Sequence, residues 1–128
     1  MRMILAATAF ALIAAAPGSA SQKRDAVPAA TPAGKPVSCL SLTQVRESIV
    51  RDGKTIDFVM RGGQVYRNVL DGGECPGLSF QRRFAHKTST NDICSTDLIT
   101  VLEDPGLRQG ASCGLGQFQP VTLAKPAH

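Results

Sequence analysis

The sequence predicts an all-β domain: five or six short, mostly antiparallel strands curled into a small barrel-like sheet and stapled by disulfides. Three observations lead there. Apolar residues alternate over short runs between glycine-rich turns, four cysteines fall inside one segment, and no window carries the periodicity of a long amphipathic helix. With 128 residues, 43% of them hydrophobic, the chain has room for one small domain.

The first 20 residues read as a signal peptide. Arg2 supplies the positive start, Met3 to Ala16 form an uncharged apolar run, and Pro17-Gly18 breaks any helix before the small residues Gly18, Ser19 and Ala20. The apolar run is shorter than the roughly 20 residues that cross a bilayer, so a retained anchor is the weaker reading. Cleavage is expected after Ala20, with Ala16 as second choice, and no cysteine follows closely enough for lipid attachment. Residues 21–36 carry Pro28, Pro32 and Pro36 with much alanine, and they read as a disordered linker that buries too little to offset its ordering entropy. Residues 37–123 are the expected folded unit, and residues 124–128 a free tail.

Within the unit, SLTQVRESIVRDG is the ambiguous element. Leu42, Val45 and Ile49 have helical spacing, but the periodicity is moderate and the segment is read mainly as strand over residues 41–51. In TIDFVMR, Ile56, Phe58 and Met60 share one face while Thr55, Asp57 and Arg61 take the other. Gly62-Gly63 then turns into QVYRNVL, with Val65 and Val69 on one side and Tyr66 and Leu70 on the opposite one, which predicts a hairpin. LSFQRRF keeps Leu78, Phe80 and Phe84 in phase as a further strand, and DLITVLE is a buried one ended by Asp104-Pro105-Gly106. SCGLGQFQPVTL is the last strand, where Gly114 and Gly116 mark a bulge or the close approach of another segment.

Cys39, Cys75, Cys94 and Cys113 are an even set in a small chain with an export signal, which points to disulfides formed in an oxidising compartment. Their spacings of 36, 19 and 19 positions lack the close pairs of a zinc site, and there is no C-x-x-C redox motif, so neither a metal nor another cofactor is expected. Of the three pairings, Cys75–Cys94 with Cys39–Cys113 is favoured: the first staples the polar segment between its ends, and the second ties the first strand to the last.

Charge narrows the partners. The chain has 14 basic and 10 acidic side chains. Setting aside Arg2, Lys23, Arg24, Lys35 and Lys125, together with Asp25, leaves nine of each in residues 37–123. The unit is neutral, so the basic isoelectric point belongs to the ends and no nucleic-acid surface is expected.

The order Cys39, TIDFVMRGGQVYRNVLDGGECPGL, RRFAHKTST, ICSTDLITVL and GASCGLGQFQPV resembles a domain-of-unknown-function family of small exported alphaproteobacterial proteins with four cysteines. The resemblance spans Cys39 to Val121, and it implies the domain boundaries and an all-β fold but no activity.

FAHKTSTNDICSTD gathers the residue types of a hydrolase: His86, Ser89, Cys94 and Asp97. A Ser–His–Asp enzyme needs an imidazole bonded to both hydroxyl and carboxylate, and a nucleophile on a rigid turn. Ser89 instead lies beyond a strand end in a Thr/Ser/Asn-rich turn, and a disulfide would leave Cys94 no thiolate. Arg82, Arg83 and Lys87, with Arg67 from a neighbouring strand, compose a candidate basic patch flanked by Phe80 and Phe84. The expectation is a non-catalytic exported module, periplasmic or secreted, that binds an envelope protein or an anionic envelope ligand and has no transmembrane segment once mature. The alternative is a small hydrolase using His86 with Ser89 and Asp97.

Overall fold

The computed structural model describes residues 27–124. The expected signal peptide and the start of the linker, like the last four residues of the tail, lie outside the described residues.

Among the described residues ten strands form three antiparallel sheets. In chain order they are β1 (Ala30–Pro32), β2 (Cys39–Ser41), β3 (Val45–Val50), β4 (Thr55–Met60), β5 (Val65–Val69), β6 (Phe84–His86), β7 (Asp92–Cys94), β8 (Leu98–Glu103), β9 (Arg108–Gly114) and β10 (Phe118–Leu123). One helical turn, α1 (Leu78–Gln81), precedes β6, and a 3-10 turn over Leu42–Gln44 precedes β3. The main sheet has the order β1-β10-β5-β4-β3, the second is β6-β8-β9, and the third is the pair β2-β7. Among the described residues no helix is long and apolar enough to cross a membrane.

The hairpin of β4 and β5 forms as its alternation and Gly62-Gly63 require, with Thr55 opposite Val69 and Phe58 opposite Tyr66. Gly63 takes φ +89°, a conformation that a side chain would strain. The ambiguous segment is strand from Val45 to Val50, and of its helically spaced residues only Leu42 falls in the short 3-10 turn before it. The DLITVLE strand is β8, paired on both sides.

The sheets do not close into a barrel, which corrects the expected curl of five or six strands. After β5 the segment Asp71 to Gly77 leaves the ladder rather than extending it, and Gly77, at φ +84°, opens α1. The chain then returns as a separate sheet, and β1 and β3 remain as the edges of the first. A packed core replaces closure: Ile56, Phe58 and Phe118 of the main sheet meet Ile99 and Val101 of β8 and Ile93 of β7. Phe58 and Phe118 pack edge to face at 5.4 Å.

LSFQRRF is not one strand. Its Gly77 start and the left-handed Arg82 (φ 55°) make Leu78–Gln81 a helical turn that buries Leu78 and leaves Phe80 85% exposed. The final run is likewise two strands, β9 and β10, broken at Leu115 to Gln117. Gly116 is the place of close approach: a Cβ there would stand 2.2 Å from the Val69 carbonyl oxygen. Buried Asn68 satisfies the backbone at that contact by donating to Gly116 O and accepting from Gly116 N.

The expected linker also needs correction. Ala30–Pro32 pairs with β10, and Ala33 N–H donates to Pro120 O at 2.9 Å. Low burial potential argued against order, but an edge strand needs only backbone partners, and proline is tolerated on its free side. Ala124, assigned to the free tail, donates its N–H to Ala29 O.

Both disulfides form with the opposite pairing to the one expected: Cys39–Cys94 and Cys75–Cys113. Topology decides this, because β2 lies against β7 with Cys39 directly opposite Cys94. Cys75, in the segment after β5, is thereby left facing β9 across the core. No described cysteine is free, and such bonds belong to an oxidising environment.

Candidate functional site

The polar stretch around His86 is held by its backbone. Strand β6 sets His86 on the core side of the second sheet, opposite Ile99, with 8% of its side chain exposed. Its Nε2 lies 3.0 Å from Asp97 Oδ2, and the same oxygen accepts the Cys94 N–H at 2.7 Å. Asp97 N–H donates to Cys94 O, and Asp97 O accepts from Leu115 N–H, so Asp97 organises the turn between β7 and β8. Ser89 is exposed and makes no hydrogen bond to His86 among the described residues. Around it the Thr88 and Thr90 hydroxyls accept from Thr90 and Asp92 N–H, the self-bonding turn that its composition suggests. Two members of the hydrolase constellation are therefore brought together, His86 and Asp97, and the hydroxyl is not. Cys94 is spent in its disulfide.

The four cations of the expected basic patch are dispersed. Arg83 pairs with Asp104, and Arg82 donates to the carbonyls of Ser79 and Val50. Lys87 borders a polar cavity of about 370 Å³ on the second sheet with Thr100, Gln109 and Ser112. Arg67 is on the main sheet.

Around Arg67 lies a cluster that the alternation placed on the solvent side without marking it as special. Asp57 of β4 is directly opposite Arg67 of β5, a register set by the hairpin turn. Arg67 donates from Nε to Asp57 Oδ1 at 2.8 Å and from Nη2 to Oδ2 at 2.9 Å, and Arg51 donates from Nε to Oδ2 at 2.8 Å. Asp57 is fully buried, and Arg67 and Arg51 keep 14% and 21% exposure. Burial disfavours its charge and is the strongest single influence. The hydrogen bonds from Arg67 and Arg51, with the charges behind them, together outweigh it and hold the carboxyl below its ordinary 3.8. An acid between Ile56 and Phe58, with an arginine at the matching place in the next strand, was the available signal.

Arg67 also lines an open groove of about 420 Å³ on the face of the main sheet turned from the core. Its walls are mostly apolar, made by Ala30 and Pro32 of β1, Val69 of β5 and Val121 of β10. Strand β1, formed by a segment whose composition reads as linker, therefore contributes to the candidate site. Among the described residues no group of three or more metal-ligating side chains occurs.

Asp97 is likewise held below its ordinary 3.8, first by the Cys94 N–H and then by the hydrogen bond and charge of His86. Both carboxyls thus ionise more readily folded than unfolded. Their stabilisation is complete above the unfolded value near 3.8 and is lost as pH falls through the lower folded values. Urea midpoints are expected to hold between about pH 7 and pH 5 and to drop below about pH 4. Asp97→Asn lowers the midpoint near neutrality, and its gap from wild type narrows in acid. Parallel pH curves for the two proteins would contradict this linkage.

Comparison with protein-family models, curated proteins and solved structures returns no match.

Proposed function

We propose that this chain is an exported, periplasmic or secreted module that binds a component of the cell envelope and performs no catalysis. The observation that carries the reading is the groove of about 420 Å³ with a guanidinium in its lining, of a size suited to a small ligand. The two disulfides support export, since they hold a small domain together where thiols do not stay reduced. The export signal and the resemblance to exported four-cysteine proteins point the same way.

Fractionation with intact-mass measurement tests the export half. The expected product starts at Ser21, is found outside the cytoplasm, and takes up alkylating groups only after reduction. A full-length product retained in the cytoplasm with free thiols would overturn it.

A second reading, the small hydrolase, is favoured by one observation, the 3.0 Å contact of His86 with Asp97. Wild type and His86→Ala are to be screened against ester and glycoside panels. No turnover by either protein is expected. Activity present in wild type and lost in His86→Ala would replace the binding reading with the hydrolase.

A further inference from the structure

Resting on the binding reading and deepening it, we propose that the groove between β1, β10 and β5 takes a single-chain amphiphile with a carboxylate head, a fatty acid, whose head meets Arg67. The charge count beside the groove comes first. Asp57 is shared by Arg67 and Arg51, so two guanidinium charges face one carboxylate and one positive charge is left over. Arg67 uses Nε and one Nη2 hydrogen on Asp57, and Arg51 uses only Nε, so further donors have no partner among the described residues. A positive charge that is 14% exposed is poorly hydrated, and a monoanion in the groove would restore neutrality where the field is weakly screened.

The walls decide what the anion is attached to. Ala30, Pro32, Val69 and Val121 offer hydrocarbon, and Val69 is 51% exposed although it belongs to a strand inside the sheet. A peptide would bring amide groups that need partners, and the groove has few. Pro32 and Pro36 lack an N–H, Gln119 Nε2 already donates to Gly34 O and Pro120 O, and Gln117 Nε2 donates to Ser95 Oγ. An alkyl chain has no such demand. The volume of about 420 Å³ lies near the lower end of small-molecule sites, suiting a medium-length chain rather than a two-tailed lipid.

The test is a titration of the disulfide-bonded protein with decanoate, followed by amide shifts and the Arg67 Nε–H resonance. Saturable binding is expected, with shifts centred on Val69, Val121 and Arg67. Octanoate should bind about fifteenfold more weakly, at roughly fourfold for each methylene lost, and decanol at least about tenfold more weakly than decanoate. Arg67 variants disturb Asp57, so the decisive variant is Val69→Glu, which sets a like charge in the groove from an exposed position. It should keep the wild-type circular dichroism and lose decanoate binding. Equal binding of decanoate and decanol, or undiminished binding by a folded Val69→Glu, overturns the proposal. So does absence of binding, or preference for an apolar tripeptide with a free C-terminus, which would give the groove to a protein end. None of these outcomes bears on catalysis, whereas His86-dependent turnover would sink the binding reading and leave the groove's occupancy to be read separately.

Discussion

Replacing Cys75 and Cys113 together by Ser is expected to lower the unfolding free energy by about 4 kcal/mol, from the chain entropy that the crosslink removes in the unfolded state. The bond closes a separation of 38 residues, and it runs from the segment after β5 to β9. It therefore ties the main sheet to the second one, which no continuous ladder does. Cys75 is also 2% exposed and part of the core, so the serine hydroxyl would be buried in its place. Single domains have only about 5–15 kcal/mol to lose, so this change removes a large share. Breaking Cys39–Cys94 relieves a loop of comparable length, with a separation of 55. It spans residues already opposed in the β2–β7 ladder and more open to solvent, so the smaller effect is expected there. Urea unfolding of both double variants, each compared with wild type, provides the check. A Cys75/Cys113 variant as stable as wild type would mean that the core alone holds the sheets together.

Asp57→Ala should cost about 3–5 kcal/mol, the usual penalty for removing one partner of a buried ion pair. The loss is not that of one surface salt bridge. Arg67 and Arg51 would be left facing each other with no counter-charge, at a place where water reaches 14% and 21% of their side chains. Asp57 is at the centre of the hairpin, opposite both Arg67 of β5 and Ile49 of β3, so the repulsion falls across three strands. Joint replacement of Asp57, Arg51 and Arg67 by Leu, Met and Met should recover most of the stability, because apolar packing avoids desolvating charge. It should also abolish decanoate binding, separating what the cluster does for the fold from what it does for a ligand. A single Asp57→Ala within about 0.5 kcal/mol of wild type would show that the cluster is solvated and contributes little.

The candidate site was only partly legible in advance. His86 and Asp97 stand together in one polar stretch of sequence and do meet, because the chain between them folds back through β7 and the turn before β8. Ser89 was singled out with them and stays apart, since its turn bonds to itself. Arg67 reads as part of a basic patch, yet its partner is Asp57, shared with Arg51, while Arg83 and Arg82 turn to Asp104 and to backbone carbonyls. Alternation tells which side of a strand a residue takes, and it does not tell what else is brought to that side.

What belongs to the sequence alone is local in its physics: the β4–β5 hairpin with its glycine turn, the β8 strand, and the expectation of crosslinks from an even set of four cysteines. Each depends on neighbours along the chain or on composition. Tertiary structure decided the rest. Which cysteine meets which depends on β2 lying beside β7. Whether the sheet closes depends on where the chain goes after Cys75-Pro76-Gly77, and whether Ala30–Pro32 is ordered depends on a free edge of β10, with Ala30 opposite Leu123 and Pro32 opposite Val121. Those are long-range pairings, whose free energy comes from backbone bonds and buried surface that no short window of residues contains.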